Sequence, residues 1–205
     1  MHLGANVLDR QELASLVSAI MNAPLITLLT FIPLVLRYGN GNTLKLFAVT
    51  GFFGCFLPLG MVVAMLKKGV ISDFYATKRL ERFIPFLATI TSYVMGAVAL
   101  IIVDAPPPIT ALMACYIVNG LVLLVITLKW KISIHASGVT SPVTALVYLL
   151  GTRMLPLFML FLPVAWARLE LKAHSKLQVT AGALLTTVLT WLQMVFYVNF
   201  LFPLI

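Results

Sequence analysis

The sequence predicts an all-α protein: a polytopic transmembrane helix bundle of six or seven spans, with an active site at one membrane face. Three observations predict it. Residues are 61% hydrophobic and only 10% charged over a length of 205. Mean hydropathy is +1.07. Apolar runs of span length recur along the chain, separated by helix breakers. An average soluble domain is about a quarter charged, so this chain could not hide its apolar residues inside a water-soluble sphere. Disordered chains are polar, which excludes that class as well. The two cysteines, Cys55 and Cys115, both lie in apolar runs. They exclude a disulfide scaffold and Cys-rich metal sites, and are expected as small core residues. Residues 1–205 read as one domain, with no repeat or linker.

The first apolar run begins near Leu13, behind Asp9-Arg10-Gln11-Glu12. It is too long for a signal-peptide core, so no cleavable leader is expected. Seven candidate spans follow, over about 13–36, 44–66, 83–103, 109–128, 133–151, 153–170 and 177–202. Arg37-Tyr38-Gly39-Asn40-Gly41-Asn42 is the turn between the first two, and Asp104-Ala105-Pro106-Pro107-Pro108 separates the third from the fourth. Pro24, Pro33 and Pro58 fall inside spans, where membrane helices tolerate proline. Gly151-Thr152-Arg153 and Pro156 interrupt one long stretch, and each half only just reaches across. A six-span arrangement, with that stretch as a re-entrant hairpin, is the alternative.

Seven spans place the N-terminus and the loops after spans 2, 4 and 6 on one side. That side carries eleven of the fourteen Lys and Arg residues; Arg37, Lys45 and Arg153 are on the other. The positive-inside rule makes the rich side cytoplasmic. Setting aside five cations that are candidate ligands for substrate, the balance is six to three.

The same three loops hold nearly all the polar chemistry. The first runs from Ser72 to Pro85 and contains Lys78, Arg79 and Arg82. The second contains Lys131, Ser133 and His135. The third contains Arg168, His174 and Gln178. Two spans lie between successive loops, so all three face one compartment. Arg offers a planar fork that matches phosphate oxygens, and Lys adds a point charge. Ser133 begins a span, where free N–H groups favour an anion. Two histidines permit covalent phosphoryl transfer, one attacking phosphorus and the other protonating the leaving oxygen. Gln178 stands four residues after His174 on the same helical face. Its side-chain oxygen could accept the His174 Nδ1–H and leave Nε2 free.

The order and spacing of these residues resemble the three signature motifs of the type 2 phosphatidic acid phosphatase superfamily. The family's third motif is Ser-Arg, five residues, His, three residues, Asp. Here it reads Ala167-Arg168, five residues, His174, three residues, Gln178. The second is Pro-Ser-Gly-His, against Ile132-Ser133-Ile134-His135. The first is Lys, six residues, Arg-Pro; here Lys78 and Pro85 are seven apart and Arg82 stands three before the proline. Two spans separate successive motifs, as in the glucose-6-phosphatase branch. The resemblance covers roughly forty of the 205 residues.

What the resemblance implies is specific. His174 would become the phosphohistidine, and His135 would be the acid for the leaving group. Arg168, Ser133, Arg82 and Lys78 would hold phosphate oxygens, with Arg79 and Lys131 beside them. Gln178 stands where the family has an orienting Asp, and Ile134 where it has Gly. No cofactor or metal is implied. The expected partners are the bilayer and a phosphate-bearing lipid substrate, not nucleic acid. Two rival readings remain: a binder or transporter of a phosphate lipid on the same scaffold, and a structural subunit.

Overall fold

The computed structural model describes residues 9–201, and within them it is helical throughout apart from short connections. The first apolar run is two helices. Asp9 caps α1 (Arg10–Ile20) in a capping box with Glu12. Asn22 caps α2 (Ala23–Tyr38), accepting from the Leu25 N–H, with Pro24 in the first turn. The pair is bent by 48°. Asn followed closely by Pro is a helix-start signal inside an apolar run, and it turns what reads as one span into an elbow.

The remaining runs form α3 (Thr43–Lys67), α4 (Arg79–Ile102), α5 (Pro107–Lys129), α6 (Ile134–Leu150), α7 (Thr152–Glu170) and α8 (Lys176–Leu201). α3, α4, α5, α7 and α8 are long and apolar enough to cross a membrane, and the bent pair would make a sixth. By length and composition the described residues thus hold five such helices, or six with the bent pair, against the six or seven expected. α6 has 17 residues, which at ~1.5 Å per residue falls short of a ~30 Å hydrocarbon core. Gly151, at φ 92°, ends it, and α7 returns with its first nine residues, around Pro156, in 3-10 form.

α5 is the central helix. Ile109, Ala111, Leu112, Met113 and Cys115 on it are fully buried and pack with Phe31, Leu34 and Leu100. Both cysteines are buried core residues. The bundle's exterior is apolar: Leu121, Val125 and Leu128 form an exposed stripe on α5, and Leu184, Val188 and Trp191 another on α8.

α6 and α8 approach most closely, through small and hydroxyl side chains. Ser137 donates to the Gly182 carbonyl at 3.1 Å and Thr140 to the Ala183 carbonyl at 3.1 Å. Interhelical bonds of this kind in membrane bundles contribute about 0.6 kcal/mol each. Gly182 is required at this crossing, because a Cβ there would come within 2.7 Å of the Ser133 carbonyl oxygen. Gly138 plays the same part against the elbow, where a Cβ would meet that of Ala23 at 2.6 Å. These two contacts bring the start of α6, the start of α8 and the α1–α2 elbow to one end of the bundle.

Candidate phosphate site

At that end a cavity is lined by Arg82, His135, Arg168 and His174 together. They come from four places in the chain: the first turn of α4, the start of α6, the last turn of α7, and the α7–α8 connection.

Arg82 is 3% exposed and Arg168 is 2% exposed. The Arg82 Nε donates to the Ala76 carbonyl at 2.9 Å and its Nη1 to the Ile132 carbonyl at 3.2 Å. Arg168 Nη1 donates to the Ser18 hydroxyl at 3.3 Å, and its guanidinium lies 5.7 Å from the Tyr75 ring centroid. Arg168 Nε is buried without a partner. The ion pairs among the described residues are Arg10–Glu170 and Lys78–Glu81, so neither buried guanidinium has a carboxylate in direct contact, and Asp73 reaches both only through its longer-range charge. Burying an unpaired charge costs several kcal/mol. Two such groups lining one cavity have the chemistry to hold an anion.

His174 is held by two acceptors. Its Nδ1 lies 3.1 Å from the Lys131 carbonyl oxygen and 3.3 Å from Gln178 Oε1. A carbonyl can only accept, so Nδ1 carries the proton and Nε2 keeps its lone pair. The same Gln178 oxygen accepts the Ser175 N–H, closing a capping box at the start of α8. Burial pushes the His174 imidazole down to about 4, helped by Arg82 and Arg168 and opposed by the bond to Lys131. The ring is therefore neutral at physiological pH. His135 presents a buried Nε2 without a partner, and its ring packs 5.4 Å from that of Tyr75.

The other expected residues lie around this group. Ser133 is fully buried and caps α6, accepting from the Ala136 N–H. Lys131 is half-buried beside the cavity; burial lowers its ammonium pKa, as do Arg82 and Arg168, while Asp73 opposes them. Lys78 is exposed and pairs with Glu81 at 3.2 Å. Arg79 reaches sideways to the carbonyls of Thr127 and Leu128 at the end of α5. Of the residues expected to bind substrate, Arg82 lines the cavity, and Lys78, Arg79, Lys131 and Ser133 do not. Asp73 orders its own loop, accepting from the Tyr75 and Thr77 backbone N–H groups and the Thr77 hydroxyl.

Three contributors escape a reading by motif: Ser18, Asn22 and Tyr75. Ser18 is 1% exposed and supports Arg168 from α1. Asn22 and Tyr75 line the cavity. Burial raises the Tyr75 phenol pKa, with Arg168 opposing. The cap-and-proline signal at Asn22 marks the elbow; nothing in the spacing marks Tyr75 or Ser18.

Comparison with protein-family models, with curated proteins and with solved structures finds no match to this chain. The functional reading therefore rests on these side chains.

Proposed function

We propose that the chain is an integral membrane phosphatase that hydrolyses a lipid phosphate or pyrophosphate through a phosphohistidine. An isoprenyl pyrophosphate, phosphatidate or phosphatidylglycerophosphate has the required form: a charged headgroup for the cations and a tail for the apolar bundle. The observation that carries the proposal is the pair of buried guanidiniums with no carboxylate in direct contact, lining one cavity with a histidine whose Nδ1 is tied down and whose Nε2 keeps its lone pair. The cation excess on the site's side supports placing it at the cytoplasmic face of a cell membrane.

In this mechanism Arg82 and Arg168 bind the phosphoryl oxygens and disperse the charge of the transition state. His174 Nε2 attacks phosphorus as the bond to the leaving oxygen breaks. His135 gives that oxygen a proton; the negative charge of bound phosphate favours its imidazolium form. Water then attacks the phosphohistidine, His135 takes the water's proton, and inorganic phosphate leaves with His174 restored. The test is phosphate release from a panel of lipid phosphates in detergent, with chelator present. Release by the parent chain and none by His174→Ala supports the mechanism; full release by His174→Ala overturns it.

One observation favours a second reading, a binder or transporter of a phosphate lipid. Both acceptors on His174 are neutral, so a phosphohistidine or imidazolium there has no anionic partner. Alkaline denaturation after exposure to labelled substrate separates the two readings, because only the enzyme leaves phosphate on His174.

A further inference from the structure

The cavity does not stop at the cations. It has a volume of about 190 Å³, is open at the mouth, and continues along the bundle between α2, α4, α5 and α6. Its wall changes character with depth. Below Arg82 come Phe86 and Thr89 on α4, Leu123 and Gly120 on α5, and Leu59 on α3.

The polar side chains at the far end are turned on one another. Asn119 donates to Ser141 at 2.9 Å and to Thr190 at 2.8 Å, and accepts from Gln193 at 2.9 Å. Thr186 donates to the Gly182 carbonyl at 2.8 Å. Their hydrogen bonds are used within the protein, which leaves a mostly apolar lining in which the Tyr116 hydroxyl, buried without a partner, is the polar exception. The end itself is aromatic. Tyr93 and Tyr116 both line it, with ring centroids 5.5 Å apart. Phe31 backs Tyr116 edge-on at 6.1 Å. All three are buried.

From Arg82 to Tyr93, α4 rises about 16 Å at ~1.5 Å per residue. That is about half of a ~30 Å hydrocarbon core, the reach of one leaflet. A cationic mouth above an apolar shaft with a closed end selects an amphiphile by length. We propose that the shaft is a tail site stopped by Tyr93 and Tyr116, so that the substrate is the phosphate ester of a hydrocarbon chain no longer than about one membrane leaflet. A polyprenyl chain that runs through both leaflets is too long for it. The inference rests on the phosphate reading of the mouth, and it makes Tyr93 and Tyr116 specificity-determining residues.

The experiment uses the full chain in lipid nanodiscs, with butyl, octyl, dodecyl, hexadecyl and undecaprenyl phosphates as substrates. The matching alkyl phosphonates, which cannot be hydrolysed, serve as ligands in thermal-shift measurements. For the parent chain, kcat/KM and phosphonate affinity should rise by up to about threefold to fourfold per methylene until the shaft is full. Neither should gain between dodecyl and hexadecyl. Tyr93→Ala and Tyr116→Ala should move the limit out to hexadecyl, while Tyr116→Phe, which keeps the ring, should not. Thr89→Trp, placed halfway down, should pull the limit in towards octyl and lower the ratio of dodecyl to butyl turnover. It carries the test if an alanine variant does not fold.

An unchanged limit in all folded variants overturns the proposal, as does undecaprenyl phosphate outperforming dodecyl phosphate. A length limit in phosphonate binding without any phosphate release leaves the tail site standing and removes the hydrolytic reading. Release with no length limit removes the tail site alone.

Discussion

His174 Nδ1 sits 3.1 Å from the main-chain carbonyl oxygen of Lys131. That contact joins the α5–α6 connection to the α7–α8 connection and decides which nitrogen of the ring is free. Its second acceptor, Gln178 Oε1, is engaged by the Ser175 N–H as well. Orientation of the His174 ring is thus built from main chain and a helix cap, without an acidic residue.

The pH dependence follows from that arrangement. In the proposed mechanism His174 acts as the neutral imidazole, and its pKa is held down at about 4. Activity should therefore be independent of this group at neutral pH and fall only as pH drops through about 4. Gln178→Glu keeps the Ser-x-x-Glu capping pattern and adds a negative charge, which favours the imidazolium. The acid limb of the kcat/KM profile should move upward in that variant. An unmoved limb would mean that Gln178 does not act on the ring.

Ser18 and Arg168 form one unit across the bundle. Removing the Ser18 hydroxyl deletes one hydrogen bond to a charged group, about 1.5–3 kcal/mol. Ser18→Ala should raise KM, and the inhibition constant of inorganic phosphate, by roughly tenfold to a hundredfold on that scale. Ser18→Thr should restore both. Arg168→Ala should abolish phosphate binding. Equal phosphate affinity in Ser18→Ala and the parent chain would remove α1 from the site.

Tyr75 offers its ring face to Arg168 and its edge to His135. A cation–π contact out of water contributes about 2 kcal/mol. Tyr75→Leu should weaken phosphate binding by about thirtyfold, while Tyr75→Phe should leave it within about twofold because the ring remains. A loss of equal size in Tyr75→Phe would assign the effect to the hydroxyl instead.

Gly182 sets the spacing of α6 and α8. Gly182→Ala places a Cβ 2.7 Å from the Ser133 carbonyl oxygen, and relieving such overpacking costs about 1–3 kcal/mol. A lower Tm in detergent is expected. His135 activity should suffer with it, since Ser133 caps the helix on which His135 stands. Unchanged Tm would mean that the two helices separate without loss.

Much of the architecture was legible along the chain. Every apolar run of span length is helical within the described residues, because a run of Leu, Val, Ile and Ala that long can satisfy its backbone only within itself. The breakers were legible where they were polar, as at Arg37–Asn42 and Asp104–Pro108. The elbow at Met21-Asn22 was not read, although Asn22 and Pro24 mark a helix start there, because the run around them stays apolar; the short reach of α6 was read in part, from Gly151 and Pro156. Of the cations, spacing alone ranked Lys78 and Arg79 beside Arg82. Only packing separates them, sending Arg82 inward under Ala76 and Ile132 and leaving Lys78 with Glu81 in solvent.

By itself the sequence pointed to an all-helical bundle with apolar faces turned outward, and grouped His135, His174 and most of the cations into three segments between apolar runs. Those properties are local sums of hydropathy, breakers and charge. Tertiary structure alone decided that Arg82, His135, Arg168 and His174 share one cavity, that Ser18 and Tyr75 support them, and that the cavity ends at Tyr93 and Tyr116. Each of these depends on contacts between residues far apart in the chain, set by how closely Gly138 and Gly182 let the helices approach, and no spacing along the chain encodes that distance.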